Sequence, residues 1–215
     1  MSYNENMLTS FRSAVQNMFG SNGNYQMTQV RSNVDGKTYK VRDLPDKQKA
    51  ADLLAKMRLR LTEFMGILVQ KYPSKPQVQR LQQNFIPDPS RFFESTPDAE
   101  HTSYSVNKGE EIHLCLRNRG AGDESVVDED VMMFVAIHEM AHTLTKSIGH
   151  DTEFWNNFGW LLREAEASKF YTPRNFRAHP VMYCGVKITD APKYDPSKDK
   201  EKVSGTDFQI GQIIS

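Results

Sequence analysis

Cysteine is scarce in this chain: among 215 residues only Cys115 and Cys184 are cysteines. Two are too few for the disulfide framework of a small secreted scaffold, and the default reading is a reducing intracellular compartment. Cys184 reads as a small core residue that could lie near Cys115. Long apolar runs are lacking as well. The longest, Val131 to Ile137, has seven residues, whereas a membrane-spanning helix needs roughly twenty. The start, Met1-Ser2-Tyr3-Asn4-Glu5-Asn6, has neither the basic opening nor the apolar stretch of a signal peptide. Net charge is absent too, since 27 Lys and Arg balance 27 Asp and Glu. A dedicated nucleic-acid binder usually carries a basic excess, so the balance argues against that class.

The balance hides a segregation. Lys37 to Arg80 holds eleven basic and four acidic residues, and Glu94 to Asp130 holds three basic and ten acidic. The first stretch could face an acidic partner, nucleic acid included; solvated helix faces are the plainer explanation. With 38% hydrophobic and 25% charged residues, the chain has the makings of one globular domain with extensions.

Periodicity divides the chain into an extension over 1–25, a domain over 26–190 and a polar tail over 191–215. Met7, Leu8, Phe11, Val15, Met18 and Phe19 recur at helical spacing and give the extension an apolar face suited to docking on its own domain or a partner. Asp35-Gly36 signals a two-residue hairpin between strands near 27–34 and 37–42. Pro45 opens a long helix to about Lys71, with an apolar stripe through Ala50, Leu54, Met57, Leu61, Phe64 and Leu68. Ser74 is placed to cap a shorter helix through Phe85, and 86–101, with three prolines, reads as an irregular loop. Tyr104–Val106 and Ile112–Leu116 form a second hairpin through Asn107-Lys108-Gly109. Ser125 and Asp128 suggest a capping box for a helix over 126–147, and a further helix begins near Asp151 or Thr152. The tail, rich in Lys, Asp and Pro, reads as extended or mobile.

Chemistry enters at His138-Glu139-Met140-Ala141-His142, an H-E-x-x-H pattern inside an apolar helical run. At 3.6 residues per turn the two histidines stand one above the other and can ligate one ion. Glu139 projects beside them, where it can hold water rather than metal. Two histidines and a carboxylate in an apolar helix are costly unless paired or metal-bound; a satisfied pair of core histidines is the plain alternative. A catalytic zinc usually takes three protein ligands and keeps one open position. His150 is the leading third ligand, because Gly149 lets the chain turn back toward the first two. Glu164 or Glu166 on the next helix are alternatives. So is Cys115, since a cysteine serves this way in peptide deformylases, which also carry H-E-x-x-H.

His138-Glu139-x-x-His142, then Gly149-His150, then Phe154-Trp155 resemble the WLM and SprT-like zinc metallopeptidases. Thr102 to Gly109, Leu114-Cys115-Leu116-Arg117 and Pro180 to Gly185 are similar in texture to WLM-like proteins of large DNA viruses. The resemblance implies a compact α+β zincin-like domain of the gluzincin type, with a small antiparallel sheet, the H-E-x-x-H helix and a following ligand-bearing helix. It also implies one catalytic zinc ion on His138, His142 and His150. The seven residues between His142 and His150 make a longer gap than common WLM patterns have. No ubiquitin-interaction stretch is found, so a role in DNA–protein crosslink repair is not carried over.

On this reading water near the zinc has its pKa lowered to about 7, and Glu139 takes its proton as it attacks a peptide carbonyl. Tyr183 is the first choice of oxyanion donor and Tyr171 the second. The strand Glu111–Arg117 is expected to form the rim of the cleft, able to pair with an extended peptide. Phe154, Trp155, Phe158 and Trp160 are core anchors for the helix that delivers His150. His101, His113 and His179 receive no role. The substrate is a protein or peptide. The alternatives are a structural or virion-associated protein that keeps the fold, and a deformylase-like hydrolase.

Overall fold

A computed structural model describes residues 25–119 and 125–199; the amphipathic segment near 7–19 and the chain beyond 199 lie outside the described residues. Strands β1 (Met27–Arg31) and β2 (Thr38–Arg42) pair antiparallel, with Arg31 opposite Thr38. Asp35 and Gly36 sit in the connection, but the loop spans 32–37, closed by Ser32 N–H on the Lys37 carbonyl at 2.8 Å. Its length has a physical reason. Asp35 is drawn down to helix α1 (Lys47–Lys71), accepting from Tyr39 Oη at 2.6 Å, Arg58 at 2.8 Å and the Lys37 amide at 2.9 Å. Helix α1 buries the expected stripe, including Leu54, Met57, Leu61, Phe64 and Leu68.

Helix α2 (Pro76–Asn84) begins at Lys75 with Pro76 in its first turn, so Ser74 is not its cap. The proline-rich stretch that follows is not all loop. It holds a short 3-10 turn (Pro89–Arg91) and β3 (Phe92–Glu94), which runs parallel to β2 and to β5 (Glu111–Leu114). β4 (Tyr104–Val106) pairs antiparallel with β5, giving the order β1-β2-β3-β5-β4. The sheet is therefore mixed rather than antiparallel. β5 is also interior, so it cannot pair with a substrate; the strand at that edge is β4. Beyond β5 the expected rim strand does not continue as an open face, because Cys115 and Arg117 are as buried as Ile112 and Leu114. Arg117 meets Glu94 at 2.8 Å and also Asp46 at the head of α1, while Glu94 accepts the Arg42 amide at 2.7 Å. Burial pushes the Glu94 carboxyl up, against the pull of these partners.

Helix α3 (Glu129–Leu144) is shorter than expected at both ends. Asp128 is its cap, accepting from the Asp130 and Val131 amides at 3.0 and 3.1 Å, in place of a Ser125 capping box. Its neighbours are α1, α2 and α4 (Thr152–Ala167), which starts at Asp151 as expected. Five of the six cations of α1 are answered within the chain: Lys47 by Asp43, Lys56 and Arg60 by Glu129, Arg58 by Asp35, and Lys71 by Glu164.

A last hairpin, β6 (Val181–Tyr183) and β7 (Val186–Ile188), turns through Cys184 and Gly185, both at positive φ. Cys184 is disulfide-bonded to Cys115, with Cα atoms 6.4 Å apart across 69 positions of sequence. This corrects the expectation of unpaired cysteines and removes the ground on which a reducing compartment was read. The tail is held as far as residue 199: the Asp195 amide donates to Asn156 at 2.9 Å, and Lys75 pairs with Asp199 at 2.8 Å. Gly159 permits this contact, since a Cβ there would lie 2.7 Å from the Lys193 carbonyl carbon.

Asp35 offers a test of the hairpin anchor. Burial opposes its ionisation, but the bonds from Tyr39, the Lys37 amide and Arg58 outweigh it and hold its pKa below the ordinary 3.8. A depressed folded-state pKa contributes stability above the unfolded value and loses it as pH falls through the folded value. Asp35→Ala is expected to cost about 2 kcal/mol at pH 7 in urea unfolding, and the gap from wild type should close as the pH falls below that folded-state pKa.

Candidate metal centre

Twelve of the sixteen residues of α3 are buried, and the exceptions are Glu129, Asp130, His138 and His142. The helix thus shows water its first turn and its two histidines. His150, exposed, arrives from the loop between α3 and α4, where Gly149 adopts φ +85°. The Nε2 atoms converge: His150 lies 3.1 Å from His142 and 3.1 Å from His138, with all three ligand atoms within 4.8 Å of one another. Nitrogens bound to one zinc ion at about 2.0–2.1 Å in tetrahedral array stand roughly 3.3 Å apart, so the residues fit such an ion.

Electrostatics agree with the geometry. Burial lowers His138 well below its ordinary value, with His142 and His150 adding to the shift. Burial lowers His142 to about 4, helped by His150, Lys108 and His101. His150 is lowered by burial and by His101. All three are therefore neutral at pH 7, the form in which imidazole ligates. Glu139 is fully buried and pushed up to about 8 by that burial, with Oε2 lacking any hydrogen-bond partner.

Aromatic rings wall the inner side. Phe154 touches all three histidines, its centroid 4.9 Å from His138, 4.2 Å from His142 and 4.7 Å from His150. Phe158 lies 5.1 Å from His138, and Trp155 lies 5.4 Å from His150. Phe154, Phe158 and Trp160 are the buried anchors expected from the sequence, with Trp160 packed on Tyr72 at 5.5 Å, whereas Trp155 is exposed rather than in the core.

The other candidates are placed elsewhere. Glu164 is paired with Lys71 and Arg163, each at 2.8 Å. Glu166 is outside the cluster, and Cys115 is bonded to Cys184. Tyr183 is buried, its hydroxyl donating to the Cys115 carbonyl at 2.7 Å and lying 2.8 Å from Ser103 Oγ, which accepts the Cys115 amide at 2.9 Å. With its proton used there, the hydroxyl has none for an oxyanion in this arrangement. Tyr171 is buried behind Phe134, with centroids 6.1 Å apart. His113 is stacked between Phe93 and Tyr104 and bonded to Glu111 at 2.8 Å. His101 stands in the loop before β4, near enough to add to the lowering of His142 and His150 but outside the cluster, and no spacing in the sequence announces it.

The WLM domain family model matches residues 33–213. Uncharacterized protein R325 of Acanthamoeba polyphaga mimivirus is 30% identical over 165 residues, covering 75% of this chain and 82% of its own length. Uncharacterized protein 042R of Invertebrate iridescent virus 3 is 39% identical over 87 residues, 40% of this chain and 52% of that protein. Uncharacterized protein 136R of Invertebrate iridescent virus 6 is 35% identical over 69 residues, 32% of this chain and 38% of that protein. No solved structure matches the chain.

The ligand set is tested by zinc titration against a chromophoric chelator. His150→Ala should weaken binding by more than the roughly 10–100-fold typical of losing an outer partner, while Glu164→Gln and Glu166→Gln bind as wild type does. Loss of zinc in either glutamine variant with His150→Ala unaffected would replace His150 as the third ligand.

Proposed function

The chain belongs to the WLM family, and from that premise we propose that it is a zinc-dependent peptidase that hydrolyses peptide bonds in proteins or peptides. The observation that carries the reading is the convergence of three neutral imidazoles beside a buried, unpartnered carboxylate oxygen. His138, His142 and His150 would hold the ion. Zinc supplies Lewis acidity, polarising a carbonyl and lowering the pKa of water to about 7.

Glu139 moves the protons. Its carboxylate takes one from the attacking water and delivers it to the departing amine. Burial alone holds this carboxyl up at about 8, and a dication on the three histidines would favour the carboxylate that accepts the proton. Phe154 and Phe158 exclude water from the inner side and fix the rings of the ligands. The exposed flank at His150 is the side from which a substrate can approach, with Trp155 beside it.

Two other readings from the sequence lose support. A deformylase-like ligand set needs a Cys115 thiolate, and that sulfur is in a disulfide. A purely structural zinc site has no use for a buried acid next to its ligands, since the cost of burying Glu139 without a partner is then unrecovered.

Glu139→Gln separates enzyme from scaffold. The variant should keep one zinc per chain by atomic absorption while cleavage of casein or a peptide library falls by about 100-fold or more. Zinc uptake by both proteins, with no cleavage by wild type on any substrate, would turn the reading to a structural, virion-associated protein.

A further inference from the structure

The seven residues that separate His142 from His150 are held in an unusual way. The carbonyls that follow the H-E-x-x-H motif are taken one after another by side chains from elsewhere in the chain. Asn84 Nδ2 donates to the Thr143 carbonyl at 3.2 Å and Arg80 Nε to the Leu144 carbonyl at 2.9 Å. The next three all receive one group: Lys108 Nζ donates to the carbonyls of Thr145, Lys146 and Ser147 at 2.6, 2.8 and 2.7 Å. An ammonium has three N–H donors, so every one is used on this segment. The segment is the only chain between the second ligand and the third.

The turn that presents Lys108 is built for the purpose. Asn107 and Lys108 are both left-handed, at φ 45° and 58°, and Gly109 follows at φ 109°. Left-handed backbone is unfavourable for a lysine and persists only where surrounding contacts compensate. The turn is pressed against the end of α3: a Cβ on Gly109 would lie 2.7 Å from Thr143 Cγ2 and 2.8 Å from its Oγ1. Asn107 Nδ2 closes it onto Glu110 at 2.7 Å. On its far side the segment is tied to α4. Asn157 Nδ2 donates to Thr145 Oγ1, and Ser147 Oγ to Asp151, both at 2.9 Å.

We propose that Lys108 is a positioning residue for the metal site, a cationic clamp that fixes the path from His142 to His150 and so sets the third ligand's place. The proposal rests on the zinc-site reading above and adds to it a residue that lies outside the ligand set. Three charge-assisted bonds to neighbouring carbonyls hold a loop that no helix or strand ladder supports. Without the ammonium, those carbonyls turn toward water, the loop gains conformations, and His150 must be ordered by the ion itself. The cost then falls on metal affinity rather than on the core.

Lys108→Met keeps the length of the stem and removes the charge. By chelator competition its zinc dissociation constant should rise by about 10–100-fold, and the visible spectrum of the cobalt-substituted protein should depart from that of wild type. Far-UV circular dichroism of the metal-free variant should match wild type, and Lys108→Arg should bind zinc with intermediate affinity. A merely structural lysine would lower the melting temperature of metal-free and zinc-loaded protein alike and leave the cobalt spectrum unchanged; that result overturns the clamp. So does wild-type zinc affinity in Lys108→Met. If that variant does not fold, Lys108→Arg decides by the same two measurements, with wild-type affinity and spectrum in Lys108→Arg supporting the clamp only if Lys108→Gln loses both. Wild-type protein that takes up no zinc overturns the zinc-site reading itself, a result distinct from a clamp that fails while the wild type binds.

Discussion

Between Val131 and Leu144 helix α3 gives water only two histidines, and the rest of the structure is arranged around that burial. A helix that is apolar on nearly every side cannot lie on a surface. It needs walls, and they come from α1, α2, α4 and strand β4. The consequence for chemistry is positional. A ligand on a surface helix can move with the helix, but His138, Glu139 and His142 are fixed by interlocking side chains with almost no freedom to relax. The core is thus the support of the site.

The third histidine of the cluster has no such support from its own element. His150 is exposed and sits in a connection, so its position depends on polar bonds. Those bonds come from both sides. Asn84, Arg80 and Lys108 hold the carbonyls from Thr143 to Ser147, while Asn157 and Asp151 hold two hydroxyls. Phe154 then links the two modes of support, since its ring contacts all three imidazoles from the first turn of α4. A gap longer than the usual family spacing is workable because it is bonded along its length rather than left as free chain.

How much of this was legible follows from the range of each interaction. The stripe of α1, the apolar run of α3 and the start of α4 at Asp151 are local patterns, and they stand in the sequence directly. The cluster of His138, His142 and His150 was also legible, because i and i+4 on a helix fix a distance and Gly149 marks a reversal. What escaped was short or distant. β3 has three residues among prolines, too few to show alternation, and its parallel partners lie far off in sequence. The Cys115–Cys184 bond joins positions 69 apart, and nothing near either cysteine announces the other. Tyr183 was the first choice of oxyanion donor, yet its hydroxyl is bonded to the chain at Cys115, a contact 68 positions away in sequence. Lys108 read as a turn residue because its partners are 37 to 39 positions away.

The two opposite pKa shifts at the site have one origin. Burial discourages charge of either sign, so it lowers the histidines and raises Glu139 to about 8. Neutral imidazoles each carry one lone pair and one N–H, and where three Nε2 atoms converge at 3.1 Å an ion can take the place of the N–H···N bonds that their tautomers would otherwise make. A dication answers both groups: it attracts the lone pairs and favours the carboxylate form of Glu139. The histidines need no deprotonation to receive it at neutral pH, so binding there displaces few protons. Apolar burial, the same force that folds α3 into the core, therefore also keeps the imidazoles in the neutral form and sets a carboxyl of raised pKa beside them.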